Sequence, residues 1–403
     1  MVAGLALLLM TLVLAKKLEF FKRDLWVIGG FSAIIAAQTA STGFIGPLSL
    51  MGFYARLLVA FAVVRLMRDF ARVFIETMFW TSVVSFPFFA LMIVTHGRIV
   101  DLIAPISVNV PDPYLLVHFF ASTHLTQNNS YFWEPGVFAG YLVLAIACLG
   151  AIKEQYSLKR YRFILLVLLV AVVTTQSTGG YLTVPLALIF HGKALGKNLG
   201  FRAVVILFAI VGGIILFQKV DFLGSKIKSQ NEQIQGQGYS WQRTRLGSMI
   251  YDARLIRAYP LFGWGPDPDA ANGVVDLTLA SGEGNGLSNF TASFGFCGLA
   301  LFLAATWSGF SSLYGGKKIL PTLAVIVVVL ILNDECFLNF PLFLTLMFLR
   351  KSSQKSFAPS IEAADVHSNA SRVRGDASNC CQHFESSSLA AIKSGINRRE
   401  CLL

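Results

Sequence analysis

Four arginines, Arg243, Arg245, Arg254 and Arg257, stand close together in one polar stretch of the chain. A guanidinium keeps its charge at any physiological pH and offers a planar fork of donors that fits an oxyanion bidentately. Arginines grouped in this way can hold an anionic substrate group and stabilise negative charge that develops during a transfer reaction. Carboxylates that could take a proton from an attacking hydroxyl are Glu134, Glu283 and Asp252. Arg56 lies in an otherwise apolar run, where a charge is costly and usually has a function, although snorkelling to the interface explains it nearly as well. Long outer loops also translocate regardless of charge, which is a plain alternative for the early lysines of the same region.

These residues sit between elements that the sequence assigns to a membrane. The chain has 403 residues, of which 55% are hydrophobic and only 14% charged, against about 25% charged in a soluble domain. Apolar runs recur along nearly the whole chain, and about 20 such residues cross the ~30 Å hydrocarbon core as a helix. The runs are apolar on every face, whereas barrel strands alternate. The expected fold is therefore an all-α polytopic membrane protein. Helices are predicted at 2–15, 25–40, 49–66, 73–95, 135–152, 162–177, 180–192, 203–218, 287–308, 319–333 and 336–349, roughly ten to twelve crossings in all. The segments 180–192 and 336–349 are short enough to be re-entrant.

The net charge of +11 is spread in short clusters beside the apolar runs, a pattern of membrane topology rather than of nucleic-acid binding. Lys16, Lys17, Lys22 and Arg23 form the first, and Arg65, Arg68 and Arg72 the second. Then follow Lys153, Lys159, Arg160 and Arg162; Lys193, Lys197 and Arg202; Lys317 and Lys318; and Arg350, Lys351 and Lys355. Each falls on an alternate loop, which places the N-terminus outside and the C-terminal end in the cytoplasm. Both long connections, 96–134 and 219–286, then lie on the outer face, where loops of that length usually carry function. Residues 1–351 read as the membrane domain and 352–403, polar and Ser-rich, as a disordered cytoplasmic tail. Cys148 and Cys297 lie in apolar runs and Cys380, Cys381 and Cys401 in the tail, so no disulfide framework is implied.

Three pieces of sequence carry a resemblance. The first is Asn128-Asn129-Ser130-Tyr131-Phe132-Trp133-Glu134-Pro135-Gly136, at the entrance of a small-residue helix. Pro135 suits a first helical turn and Glu134 the positive end of the helix dipole, so a favourable helix start with interfacial aromatics accounts for the same residues. The second is the turn Thr174-Thr175-Gln176-Ser177-Thr178-Gly179-Gly180-Tyr181, which a tight polar connection would also explain. The third is the arginine-bearing stretch 241–258, read as a helix, followed by Tyr259-Pro260-Leu261-Phe262-Gly263-Trp264-Gly265 and then Glu283, Gly284, Asn285, Ser288 and Asn289.

In this order, over about residues 125–310, the three pieces resemble the O-antigen polymerase and O-antigen ligase superfamily. The resemblance implies a helical bundle like that of GT-C glycosyltransferases, located in the bacterial inner membrane. It implies transfer of a glycan from one undecaprenyl diphosphate carrier onto another lipid-linked repeat unit, in O-antigen, capsule or exopolysaccharide synthesis, with no cofactor and no metal. Arg243, Arg245, Arg254, Arg257 and Arg56 would bind the diphosphate, Glu134 and Glu283 would serve as catalytic carboxylates, and Asn285 and Gly265 would orient the substrate. The implied partners are the lipid-linked oligosaccharide, the bilayer, a chain-length regulator and a flippase, with no nucleic acid.

One departure separates two activities within that family. Gly284-Asn285 stands where ligases and many polymerases carry His-Asn, which counts against a ligase acting on lipid A core or protein. A flippase or secondary transporter is the rival of another class; it would need charged or broken helices near the bilayer midplane and usually internal repeats, and the sequence shows neither. The outer-loop residues His96, His118 and His124 read as surface histidines, and 114–125, drawn as a helix, is amphipathic and would lie on the membrane.

Overall fold

Glycine, alanine and large apolar residues alternate through 135–151 with no charged side chain, and a helix that is apolar all round belongs at the centre of a bundle. In the computed structural model this segment is the central helix. The structure describes residues 10–13, 21–42, 46–67, 69–100, 114–115, 118–120, 126–191, 245–265, 285–315, 318–334, 337 and 340–351. The predicted crossing at 203–218, most of that at 2–15 and the tail from 352 lie outside them.

The helices in chain order are α1 (Lys22–Thr42), α2 (Pro47–Leu66), α3 (Phe70–Val94), α4 (Pro135–Ala151), α5 (Leu158–Thr175), α6 (Thr178–Ile189), α7 (Arg245–Ala258), α8 (Gly286–Leu313), α9 (Ile319–Asp334) and the short α10 (Pro341–Leu344). Among the described residues, α2, α3 and α8 are long and apolar enough to cross a membrane, and α4, α6 and most of α9 are shorter apolar helices. The helical fold and a membrane location agree with the composition.

Helix α4 is buried from Pro135 to Gly150 and packs against α3, α5, α6 and α9. Small residues permit that crowding. A Cβ on Gly140 would stand 2.6 Å from the Phe337 ring, and one on Gly180 would stand 2.8 Å from Ala139 Cβ. Ser157 caps α5 and Ser177 caps α6, each accepting a backbone N–H from three residues on, as N-cap serines do.

Polar contacts sort to the two ends of the bundle. At one end Asp24, in the first turn of α1, pairs with Arg65 at the close of α2. At the same end Arg160 of α5 pairs with Glu76 of α3 at 2.7 Å, and the Tyr314 hydroxyl donates to the Ala147 carbonyl at 2.7 Å. At the other end Asn128 joins α3 to α5, Gln38 joins α1 to α8, and Asn285 joins α8 to α9. From α1 to α6, and again from α8 to α9, successive helices thus run in opposite directions, and the described basic clusters fall at a single end.

Two predicted helices take another form. The segment 336–349 is not one crossing: Phe340 is extended, α10 has four residues, and a 3-10 turn, Thr345–Phe348, follows it. Pro341 has no N–H to continue a helix and holds the residue before it out of helical geometry. In 114–125, Tyr114–Leu115 (β1) and His118–Phe119 (β2) form an antiparallel pair instead of an amphipathic helix. The Phe119 amide also donates to the Ser130 carbonyl at 2.6 Å, so the strand pair is tied to the polar segment ahead of α4.

Candidate functional site

Helix α7 has two unlike faces. Ser248, Asp252 and Leu255, spaced at helical intervals, are buried, whereas Met249, Arg254 and Arg257 are exposed. The buried face packs chiefly on α8. Pro260 ends the helix, and residues 260–265 then run along α8. The amides of Trp264 and Gly265 donate to the carbonyls of Ala292 and Ser293 at 2.8 and 3.0 Å, while Phe296 and Cys297 donate to the carbonyls of Pro260 and Leu261 at 2.8 and 3.0 Å.

That pairing exists because α8 is broken. Gly295 has φ 66° and ψ −178°, which splits the helix and releases backbone groups on either side. The turn supplies their partners, as buried backbone groups demand. Gly263, at φ 78°, passes so close that a Cβ there would stand 2.5 Å from the Gly295 nitrogen, and one on Gly295 would stand 2.2 Å from the Leu261 carbonyl oxygen. Only glycine meets both the positive φ and the lack of space. From α1, the fully buried Gln38 donates through Nε2 to the carbonyls of Phe262 and Ser293 at 2.5 and 2.7 Å. Trp264 packs on Leu255 and Ala292, closing α7 onto the break.

The start of α8 is equally fixed. Asn285 is the N-cap; its Oδ1 accepts the Ser288 amide at 3.0 Å, and its Nδ2 donates to the carbonyl and Oδ1 of Asn333 at 3.1 and 3.0 Å. The Ser288 hydroxyl donates to Asp252 Oδ2 at 2.5 Å. Burial pushes the Asp252 carboxyl up to about 6, and the Ser288 hydrogen bond offsets part of that rise.

The entrance of α4 lies at the same end. Glu134 is its N-cap residue, half-buried, with Pro135 in the first turn and no capping hydrogen bond from the Glu134 side chain. Asn128 is fully buried; its Nδ2 donates to Ser85 Oγ at 2.9 Å and Thr174 Oγ1 at 3.0 Å, and its Oδ1 accepts the Ser130 amide at 3.1 Å. The first two sequence pieces are thus in direct contact. The connection after α9 spans the distance to the third: Asn333 meets Asn285, and Phe340 stacks on Trp133 with ring centroids 4.2 Å apart.

Of the residues singled out from the sequence, the structure brings Gly265 and Asn285 onto α8, with Arg254 and Arg257 exposed on the helix docked there. Arg245 opens α7. Glu134 sits apart on α4. Arg56 is midway along α2, half-buried, with Nε donating to the Gly52 carbonyl at 3.0 Å. Phe53, one turn away, packs its ring 4.8 Å from that of Phe294, beside the break. Arg243 and Glu283 lie outside the described residues.

Two further readings change. His118 is 1% exposed, stacked on Phe88, and burial lowers its imidazole to about 4, so it is a neutral core histidine instead of a surface one. His96 is exposed and His124 lies outside the described residues. A broken helix is present, although the sequence pattern of α8 shows none. Gln38 was not singled out; it is an amide in an otherwise apolar run, which is the signal available for such a residue. Comparison with protein-family models, with curated proteins and with solved structures gives no match.

Proposed function

We propose that the chain is a polysaccharide polymerase of the inner membrane, transferring a glycan from one undecaprenyl diphosphate carrier onto another lipid-linked repeat unit at the outer face. The observation that carries this reading is the docking of α7. An arginine-bearing helix is pinned to a broken membrane helix, with Arg254 and Arg257 exposed, at the end of the bundle opposite the described basic clusters. With those clusters in the cytoplasm, α7 is on the outer side, where a lipid-linked diphosphate would present its headgroup.

In the transfer, the acceptor hydroxyl forms a bond to the anomeric carbon of the donor as the bond from that carbon to the diphosphate breaks. The electron pair leaves with the diphosphate, and Arg254 and Arg257, with Arg243 and Arg245, stabilise the anion. The hydroxyl proton passes to a carboxylate, Glu134 or Glu283. Arg56 pairs with the same headgroup from the α2 side. Asp252, Asn285, Gly265 and Gln38 act as positioning residues: they hold α7 and the start of α8 in register.

The break in α8 is the feature a transporter would share. Here the freed carbonyls and amides are occupied by residues 260–265 and by Gln38, and the break comes at the tenth residue, near the outer start, of a 28-residue helix. Both facts fit a fixed platform better than a transport pathway. The test is deletion of the gene in its host, with surface glycan and lipid-linked intermediates separated by size. Loss of long chains, with single repeat units still reaching the final acceptor, is expected. Accumulated long lipid-linked glycan would make the protein a ligase, and an unchanged profile would end the glycan-transfer reading.

A further inference from the structure

At the opposite end of the bundle, two arginines from distant parts of the chain converge on one ring, and a third stands beside them. The Arg350 guanidinium carbon stands 3.8 Å from the Phe21 ring centroid and that of Arg65 stands 4.5 Å from it. Arg23 donates through Nη2 to the Leu349 carbonyl at 2.8 Å, which brings it beside Arg350. The three guanidinium groups repel one another. Among the described residues one carboxylate faces them, Asp24, whose Oδ2 is committed to Arg65 and to the Phe21 amide and whose Oδ1 is buried without a hydrogen-bond partner. The Arg65 side chain is only 6% exposed, and its Nε has no partner among the described residues.

The other described charged groups nearby do not neutralise this excess. Asp69 and Glu76 act on Tyr156 together with Arg72, and Glu76 is paired with Arg160, in a separate cluster at the start of α5. Lys22 and Lys351 add further positive charge next to Arg23 and Arg350. Like charges held together beside an aromatic face, two of them withdrawn from water, call for an anion.

The depth of the cluster identifies the class of anion. Trp26, one turn from Arg23 on α1, is 53% exposed, and its neighbour Leu25 is 57% exposed. An outward tryptophan beside exposed leucine and a basic rim is the arrangement found at the boundary between hydrocarbon and headgroups. We infer that Arg65 and Arg350, stacked on Phe21, and Arg23 beside them form a binding site for the phosphate headgroup of an anionic lipid, distinct from the arginines of α7. Arg350 is the exposed member, open to the headgroup, and Arg65 the buried one. This inference does not rest on the glycan-transfer reading.

The test uses the full chain in nanodiscs of phosphatidylcholine alone and of phosphatidylcholine with phosphatidylglycerol, read by thermal unfolding and by native mass spectrometry of retained lipid. Wild type should retain phosphatidylglycerol selectively and unfold at a higher temperature with it. One arginine near a membrane surface contributes about 1 kcal/mol, so Arg350→Gln should lower retention about fivefold, while Arg350→Lys keeps most of it. Lys159→Gln, at the same end but outside the cluster, should change nothing. Equal retention by wild type and Arg350→Gln, or an equal loss in Lys159→Gln, would overturn the site. Stabilisation by inorganic phosphate in phosphatidylcholine alone, with the same Arg350 dependence, would overturn the lipid as its source.

Discussion

Gly263 and Gly295 meet backbone to backbone, both at positive φ, and that contact holds the arginine-bearing helix to the membrane helix beneath it. An alanine at either position faces about 1–3 kcal/mol of backbone strain, and its methyl group would collide with main chain, which cannot rotate away. Gly263→Ala and Gly295→Ala should therefore each displace the turn 260–265. The expected result is a lower unfolding temperature for the detergent-solubilised protein, together with loss of long glycan in a complemented deletion strain. Gly315, which is also at positive φ but has nothing within 4 Å of its Cβ position, is the control. Its alanine variant should show a smaller stability loss and keep chain length. Equal behaviour of the three variants would remove the contact from the account.

Arg254 and Arg257 are exposed on α7, so their removal should leave stability within about 0.5 kcal/mol of wild type. If they stabilise a leaving diphosphate, alanine at either should still lower turnover by roughly 10²–10³. Lysine keeps the charge but not the bidentate fork, and should recover only part of the loss. Full activity in Arg254→Ala, Arg257→Ala and the double variant would exclude them as anion-binding groups. The measurement is glycan length by gel in cells, alongside protein level in the membrane fraction.

Much of the helical layout was legible because a chain crossing lipid must write long apolar runs into its sequence. The predicted ends of α2, α3 and α4 differ from the observed ones by at most three residues, since Pro47, Pro135 and the basic clusters punctuate them. Helix α7 and its stop were equally readable from Pro260 and the glycines after it. The break at Gly295 was not, because glycine is common inside membrane helices and nothing local distinguishes one that kinks from one that packs. Nor could spacing show that Asp252 and Ser288, 36 residues apart, share a hydrogen bond, or that the amide of Gln38 would close the break. Those are tertiary facts. His118 misled for the same reason: its burial comes from Phe88 and Phe120, and only one of these is near it in sequence.

Asn128 links three elements with one side chain: Ser85 of α3, Thr174 of α5 and the Ser130 amide ahead of α4. Asn128→Leu would leave those buried partners unsatisfied, at about 1–3 kcal/mol for each group left unpaired. Because the link anchors the segment that leads to Glu134 at the N-cap of α4, the variant should lower both the unfolding temperature and the yield of long glycan. Asn128→Asp keeps the acceptor for Ser130 and should be the milder of the two by unfolding temperature. A leucine variant as stable as wild type would show that the network does not hold the α4 entrance.

Asp252 makes a prediction whose sign is set by burial. Its carboxyl is raised to about 6 in the folded protein and should return to about 3.9 on unfolding. The folded state therefore binds the proton more tightly, and the Asp252 contribution to stability falls as pH rises from about 4 to 6. Above that window the ionised group lowers stability by an amount on the order of 3 kcal/mol, and below it the cost vanishes. Asp252→Asn retains an acceptor for the Ser288 hydroxyl and cannot ionise. The variant should be more stable than wild type at pH 7, with the difference shrinking towards pH 4. If instead the ionised carboxylate organises the start of α8 for catalysis, activity of Asp252→Asn should fall even as its unfolding temperature rises. Unfolding curves of both proteins from pH 4 to 7.5, with glycan length measured in cells, separate these effects, and a difference that does not vary with pH would show that Asp252 is charged at every pH tested.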